Sequence, residues 1–325
     1  LKTIDDIRKP VLAEFAIFER NFARALESET DVLNDIFEHI LANRGKQLRP
    51  LLTLLSAQLC GKINDKTYSI ATILEMLHTA SLIHDDVVDS TSQRRGQQSV
   101  NDKWSNKIAV LSGDYLMATA LKILVQMRNV RLQQMICILI QQLTKGEILE
   151  LNYNSSMWID ENRYFDIIRL KTASLFSTCT ESGAISVGAT GYQATNLRKF
   201  GEELGLCFQL QDDILDWSEG EQLGKPTMND IHDHKVTLPL IIALNRADEK
   251  ERNKLMSRIE NETINWELES DIKNCVLKYD GIRYAQKKIE EHKRKAKLLL
   301  TAFHPITPTY EALLDLLDFT TQRSF

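Results

Sequence analysis

The chain has 325 residues, 43% of them hydrophobic and 26% charged, with a formal net charge of −5. That is enough apolar material for a sizeable core in one or two domains, and the mild acidity excludes a global basic field for nucleic acid. Five scattered cysteines (Cys60, Cys137, Cys179, Cys207 and Cys275), odd in number and without a CxxC, exclude a disulfide frame or zinc site and fit free thiols in a reducing compartment. The first ten residues, LKTIDDIRKP, hold no apolar signal core, and no run approaches the roughly 18 consecutive apolar residues of a membrane span. A cytoplasmic protein without a membrane span is expected. The chain begins at Leu1 instead of a methionine, so a few native residues are expected ahead of it.

Glycine (13) and proline (6) are scarce, and 175 residues separate Pro50 from Pro226. A long stretch without helix breakers, rich in Leu, Ile, Ala, Glu, Gln and Lys, predicts an all-α fold. From about Thr3 to Ala42 the spacing of Leu12, Phe15, Ala16, Phe22 and then Val32, Leu33, Ile36, Ile40 predicts two amphipathic helices broken near Ser28–Thr30. Gly45 marks a loop within Asn43–Pro50, and Pro50 suits the first turn of a helix that stops at Gly61. The next helix starts near Asp65. Gly96 to Lys107 reads as polar loop. Helices follow at about 109–128, 130–153, 160–188 and 194–218, then a polar loop from Gly220 to Asp233, then helical stretches to Phe319. Without a repeat or a Gly/Pro/Ser-rich linker, residues 1–325 read as one domain.

The helix from Asp65 ends in LIHDDVVDSTSQRR, Leu82 to Arg95. Asp85 and Asp89 are four apart and share a helix face. Like charges this close repel unless a cation sits between them. Mg²⁺ takes one or two carboxylates plus substrate phosphates, and guanidinium groups such as those of Arg94 and Arg95 suit phosphate oxygens. A lone DDxxD is more often solvated surface. Phe208 to Trp217, FQLQDDILDW, changes the weighing: Asp212, Asp213 and Asp216 repeat the spacing at the end of another apolar helix, with Gln209 on the face of Asp212 and Asp216. Six carboxylates opposed across a helical bundle would hold more than one Mg²⁺ and clamp a diphosphate as it leaves.

These motifs resemble those of the trans-isoprenyl diphosphate synthases, most of all the bacterial medium- to long-chain (octaprenyl-type) polyprenyl diphosphate synthases. The resemblance is carried by RGKQLRP (Arg44–Pro50), LEMLHTASLIHDDVVD (Leu74–Asp89), RRG (Arg94–Gly96), LSGDYL (Leu111–Leu116), KGEILEL (Lys145–Leu151), KTASLF (Lys171–Phe176), FQLQDDILD (Phe208–Asp216), and GKPTMND with HKVTLPL beyond it. It implies a single-domain, all-α helical bundle of the isoprenoid synthase type with a central active-site cavity, usually homodimeric. The implied reaction joins an allylic diphosphate head-to-tail to isopentenyl diphosphate: the allylic C–O bond ionises, the isopentenyl double bond attacks, and a proton is lost. Mg²⁺ is the implied cofactor, three ions per active site being the expected number.

Residue by residue, the resemblance implies metal ligation by Asp85, Asp89 and Asp212, which with Asp216, Lys171 and Lys235 form the catalytic set. Lys46 and Arg49 match the isopentenyl diphosphate site, where side chains must supply the positive charge because that diphosphate binds without the metals. Arg44 and Gln47 depart from the usual GGKRxRP. His78, seven residues before Asp85, matches an isopentenyl diphosphate contact, although a lone histidine on an apolar helix is usually core. Arg94 is expected to face the allylic diphosphate and Arg95 the isopentenyl diphosphate. Thr172, Gln209 and Lys225, with Lys171 and Lys235, match positions that touch the allylic group or stabilise its cation. Asp86, Asp213 and Asp230 are expected to orient ligands.

One turn below Asp85 stand Ala80 and Ser81, where short-chain relatives carry a bulky aromatic. A helical turn is about 5.4 Å, similar to one extended isoprene unit. Small residues here leave the chain tunnel open past Leu77, and a product longer than about C20, in the range of about C30 to C40, is expected. Met135, Ile138, Leu139 and Leu143 are candidates for the tunnel floor. Four rivals are weaker. A geranylgeranyl diphosphate synthase differs only in product length; a class I terpene cyclase needs neither Lys46, Arg49 and Arg95 nor a second full DDxxD; a regulatory prenyl synthase subunit commonly lacks one motif; and an HD-type phosphohydrolase, suggested by His84-Asp85, needs further histidines.

Overall fold

The computed structural model describes residues 2–154, 160–217, 228–233, 235–304 and 307–322. In chain order they form α1 (Ile4–Arg8), a 3₁₀ turn (Lys9–Val11), α2 (Leu12–Ala25), α3 (Asp31–Ala42), α4 (Leu48–Cys60), α5 (Asp65–Val88), the ribbon strands β1 (Gln93–Arg94) and β2 (Gln97–Gln98), α6 (Val100–Lys103), α7 (Asn106–Gln126), α8 (Val130–Asn154), α9 (Glu161–Ile168), a π-helical turn (Arg169–Ala173), α10 (Ser174–Ser186), α11 (Gly191–Asp216), α12 (Asn229–His232), α13 (Leu238–Arg246), α14 (Glu249–Asn261), α15 (Trp266–Lys278), α16 (Gly281–Leu300) and α17 (Pro308–Thr321). The all-α expectation holds, and the break between the first helices falls where Ser28–Thr30 predicts it.

The starts of the helices are written in their caps. Asn64 opens α5 with a capping box, its side chain accepting from the Lys66 amide while the Thr67 hydroxyl takes the Asn64 N–H. Ser105, Asp160, Asp248 and Asn265 accept from amides in the first turns of α7, α9, α14 and α15. Four expectations need correction. The first of the two helices expected over Thr3–Ala42 is divided into α1 and α2 by the 3₁₀ turn that holds Pro10, which has no N–H to donate, and the polar loop expected from Gly220 to Asp233 holds α12. Gly96 to Lys107 is more than loop: β1 pairs antiparallel with β2 and α6 follows, because Ser99 and Asn101 tie the segment back to the Thr91 and Asp86 carbonyls. The single helix expected over 160–188 is three pieces, α9 and α10 joined through the π turn.

The chain gathers into two compact units, one of Leu1–Ile140, Leu175–Lys199 and Leu300–Leu316, the other of Gln141–Ser174, Phe200–Leu299 and Leu317–Phe325. In the first unit α5 is the central helix, packed by α7, α4 and α2. It is buried around most of its circumference, through Ile70, Ile73, Leu74, Met76, Leu77 and Ala80. Phe15, Phe18 and Phe22 line one side of α2 in edge and stacked contacts at centroid separations of 5.4 and 5.8 Å. In the second unit α13 packs on α15 and α9, and Gly281 lets α16 start against the Pro239 carbonyl, where a Cβ would collide.

Among the described residues one helix, α7, is long and apolar enough by length and composition to cross a membrane, with a mean hydropathy of 1.6 over its most apolar window. Its buried side, Ala109, Ser112, Gly113, Leu116 and Ala120, packs within the first unit, while Val110, Leu111, Tyr115, Leu121 and Val125 stay exposed.

Candidate active site

Both acidic motifs occupy the C-terminal ends of long helices. Asp85 and Asp86 lie in the last turn of α5 with Asp89 as its C-cap, and α11 ends at Asp216. Negative charge there opposes the helix macrodipole, at about 0.3–1 kcal/mol per exposed group, so the arrangement favours a cation. In each motif the middle aspartate is buried and tied up. Asp86, 3% exposed, accepts a hydrogen bond on Oδ1 from Arg94 Nε at 2.7 Å and forms an ion pair with Arg94 Nη2 at 2.5 Å. Asp213, also 3% exposed, accepts from Gln209 at 2.9 Å on one oxygen and from Tyr164 at 2.5 Å on the other. Asp85, Asp89, Asp212 and Asp216 are all half-buried.

The loop after Asp89 carries the two arginines. Ser90 and Arg95 hold left-handed backbone, with φ of 52° and 53°, and Gln47 of the facing loop does the same at 48°. Such outliers cluster at functional sites because neighbouring contacts must hold them. The contacts are visible here. Asn43 Nδ2 donates to the carbonyls of Arg94 and Arg95, and Arg95 Nη1 donates to the Asn43 carbonyl at 3.0 Å. The Arg95 guanidinium lies flat against Gly45, where a Cβ would stand 2.5 Å from Cζ; Gly45 also has φ of +64°. The glycine of the Arg44–Pro50 motif therefore seats Arg95.

A cavity opens beside this loop, lined among others by Asn43, Arg44, Glu75, His78, Arg94 and Arg95. Burial, with Arg49, Arg95 and Arg94 nearby, holds the His78 imidazole well below its ordinary pKa, so the ring is neutral and carries one N–H. Burial raises the Glu75 carboxyl to about 7 against the opposing pull of Arg49 and Arg95. From the motif loop, Lys46 is exposed, and Arg49 is half-buried with its guanidinium 5.2 Å from the Phe176 ring centroid. Ala80 is fully buried, and the Ser81 hydroxyl is turned back onto the His78 carbonyl at 2.9 Å. Of the floor candidates Leu139 is buried and Met135 and Leu143 half-buried. Ile138 is 53% exposed, so it does not line a closed tunnel within one chain.

His84 sits beside Asp85 and rests on α7. Its Nε2 lies 3.1 Å from the Val110 carbonyl oxygen and 3.5 Å from Asp114 Oδ1, directly over Gly113. A Cβ at 113 would stand 2.6 Å from His84 Cδ2, nearer still to Nε2. The glycine of LSGDYL thus makes room for the residue preceding the first metal candidate.

In the second unit Lys171 and Thr172 project from the π turn. One inserted residue re-aims side chains, and such turns gather at functional sites. Gly146 permits the approach of α8, since a Cβ there would lie 2.8 Å from the Lys171 amide nitrogen. Lys171 Nζ contacts Glu147 at 2.7 Å and Glu150 at 2.5 Å. Burial opposes its charge, but the two glutamates outweigh it and the ammonium is held above its usual pKa. Thr172 donates to Gln209 Oε1 at 2.7 Å, and Gln209 passes the network to Asp213. These groups line a second cavity with Tyr164, Asp230 and Lys235. Burial pushes Asp213 up to about 7, offset in part by bonds from Tyr164 and Gln209. Burial, then the charges of Asp213 and Asp216, push Asp230 up to about 8. The Asp230 amide donates to Asp216 Oδ2 at 3.1 Å, which anchors α12 to the second motif.

The structure thus collects His78, Arg94 and Arg95 around one cavity and Lys171, Thr172, Gln209 and Lys235 around the other. Lys225 lies outside the described residues. Among the described residues no three His, Cys, Asp or Glu side chains form a preformed metal cage. Sequence reasoning missed Asn43, Glu75, Glu147, Glu150 and Tyr164. The glutamates of KGEILEL sat in a quoted motif, yet nothing in their spacing says that Lys171 lies between them.

An all-α chain with paired aspartate motifs at helix ends, each beside cationic side chains, offers carboxylate oxygens of the kind a hard cation takes and donors of the kind an anion takes. The polyprenyl synthetase family profile matches residues 30–277. The all-trans-nonaprenyl-diphosphate synthase (geranyl-diphosphate specific) of Rhodobacter capsulatus is 38% identical over 250 residues, covering 76% of this chain and 77% of that one. Among solved structures, a polyprenyl synthase from Caulobacter crescentus CB15, complexed with calcium and isoprenyl diphosphate, aligns with a TM-score of 0.91 at 32% identity, covering 99% of this chain and 98% of that one. A geranylgeranyl pyrophosphate synthase from Bacteroides thetaiotaomicron aligns at 0.85 and 35% identity, covering 99% and 100%. The chain belongs to the polyprenyl synthetase family, a family of prenyl-transferring enzymes.

Proposed function

We propose that this chain condenses isopentenyl diphosphate head-to-tail with an allylic diphosphate to give an all-trans polyprenyl diphosphate longer than about C20, in the range of about C30 to C40. The observation that carries the reading is the repeated motif: a DDxxD at the C-terminal end of each of two long helices, its middle aspartate bonded to protein partners. Asp85, Asp89 and Asp212, an all-oxygen donor set, would hold Mg²⁺ together with substrate phosphates, three ions being the expected complement. When bound, the ions neutralise charge on the departing diphosphate.

The remaining work falls to side chains. Arg95, Arg49, Lys46 and neutral His78 bind the isopentenyl diphosphate and orient it, because they supply cationic and N–H donors where no metal is needed. Arg94, held by Asp86, binds the allylic diphosphate. Lys171, Thr172, Gln209, Lys225 and Lys235 bind the allylic group, and Lys171 and Thr172 reach it from the π turn. Asp216 anchors the Asp230 segment and completes the catalytic set. Ala80 and Ser81 leave room for the growing chain. The whole of residues 1–325 acts as one catalytic domain, and the exposed Val110, Leu111, Leu121 and Val125 of α7 suit pairing with a second copy in a homodimer. Five free cysteines support a cytoplasmic location.

Incubation of the purified chain with labelled isopentenyl diphosphate, Mg²⁺ and each of dimethylallyl, geranyl, farnesyl and geranylgeranyl diphosphate tests the reading, with products sized by chromatography. Absence of Mg²⁺-dependent elongation with every primer defeats it. The likeness to the Bacteroides enzyme favours a second reading, a geranylgeranyl-length product, and the same sizing separates the two.

A further inference from the structure

Glu75 is a buried carboxylate that the reaction above does not use. It stands one turn before His78 on α5, is 6% exposed, and lines the cavity with Arg94 and Arg95. Its Oε2 is buried without a hydrogen-bond partner. Leaving such an oxygen unpaired is costly, and more so when it is charged. It therefore requires either a neighbouring cation or a proton.

The surroundings supply both. Arg49 from α4 and Arg95 from the ribbon favour the ionised form. Around the same cavity stand His78, Asp86 with its Arg94 partner, Arg44 and, at the mouth, His39, whose Nε2 bonds the Gln98 carbonyl. From α10 the Cys179 thiol feels both Arg49 and Glu75. While the cavity holds no anion, ionised Glu75 offsets part of the arginine charge. When a diphosphate enters, that compensation is redundant and the two anions repel.

We propose that Glu75 is a positioning residue that exchanges charge for a hydrogen bond: it offsets Arg49 and Arg95 in the free enzyme and takes up a proton when isopentenyl diphosphate binds. The proton comes from solvent buffer; an O–H bond forms at Oε2, and the buffer acid loses the same proton. As O–H, Glu75 donates to a phosphate oxygen where the carboxylate would only repel it. The titration lies where this exchange is easy, since burial already holds Glu75 near 7. The inference rests on reading this cavity as the isopentenyl diphosphate site.

The test is calorimetric titration of the whole purified chain with isopentenyl diphosphate, chelator present and primer absent, in buffers of different ionisation enthalpy. At about pH 8 wild type should take up roughly 0.8 proton more than E75Q, and the excess should vanish near pH 5.5. Relative to E75Q, wild-type affinity should fall roughly tenfold from about pH 7 to about pH 8.5. H39Q, which removes the other titratable ring on the cavity without touching the assigned diphosphate ligands, should keep the excess uptake. Equal proton counts in wild type and E75Q, or an excess lost in H39Q, overturn the proposal while leaving the cavity assignment standing. No binding by wild type overturns both. Should E75Q fail to fold, infrared difference spectra of wild type decide: a protonated-carboxyl band that appears with ligand and shifts with isotope-labelled glutamate supports the proposal, and its absence overturns it.

Discussion

Gly113 poses a contest whose terms can be read from the structure. Replacing a helix-interior glycine by alanine ordinarily stabilises by about 0.8–1 kcal/mol. Here the new Cβ would stand 2.6 Å from His84 Cδ2 and 3.0 Å from Cε1, well inside contact distance. The imidazole must swing away, giving up its 3.1 Å bond to the Val110 carbonyl, worth about 0.5–1.5 kcal/mol. Overpacking between α5 and α7 adds about 1–3 kcal/mol. G113A should therefore lose about 0.5–3.7 kcal/mol net, the clash outweighing the propensity gain. Because His84 precedes Asp85, the last turn of α5 moves with it, and half-maximal activity should need several times more Mg²⁺. Urea denaturation and a Mg²⁺ titration of initial rates measure the two effects. The double variant H84A/G113A removes the obstacle and should exceed H84A in stability by about 0.8–1 kcal/mol. If G113A is as stable as wild type and its Mg²⁺ dependence is unchanged, His84 is not seated on α7 as argued.

Four further outcomes follow from other contacts. G45A places a side chain in left-handed backbone, at about 1–2 kcal/mol, and against the Arg95 guanidinium, so KM for isopentenyl diphosphate should rise roughly tenfold with kcat little changed; an unaltered KM refutes the seat. Y164F removes a donor from buried Asp213 and should lower stability by about 1.5–3 kcal/mol, with an upward shift in the pH at which Asp213 ionises, followed by urea melts across pH. For Glu75 the folded pKa of about 7 lies above the ordinary 4.5, so the folded state binds the extra proton and stability falls as pH rises from about 4.5 through 7. E75Q should accordingly gain up to about 3 kcal/mol on wild type between pH 5 and pH 8 in ligand-free urea melts, and an equal gain at both pH values contradicts the burial argument. S81F should shorten the product on thin-layer chromatography, and an unchanged profile removes the basis for the tunnel reading.

The helical architecture was legible because its signals are local. Scarce glycine and proline and the apolar spacing of Leu12 to Phe22 act within a few residues. The acidic motifs were legible for the same reason, since a spacing of four places Asp85 beside Asp89 and Asp212 beside Asp216 on any helix. The ribbon and α6 after Asp89 were not, because they depend on Asn101 and Ser99 returning to carbonyls that sequence does not mark. The π turn is likewise silent: KTASLF has ordinary helical composition, and only the approach of α8 at Gly146 accompanies the extra residue.

By itself the sequence determined the fold class, the two aspartate motifs and the cationic residues that accompany them, because residue type and helical period decide those. Only the tertiary structure decided what each buried polar group does. Asp86 and Asp213 differ from their neighbours through Arg94, Tyr164 and Gln209, partners that lie 8, 49 and 4 residues away. Glu75 reads as one more acid on a helix until its burial beside Arg49 and Arg95 appears. Gly45 reads as a loop breaker and Gly113 as one letter of the LSGDYL motif until Arg95 and His84 are found lying on them. Charge state and close approach are set by what the folded chain brings within a few ångströms, and that information is not local.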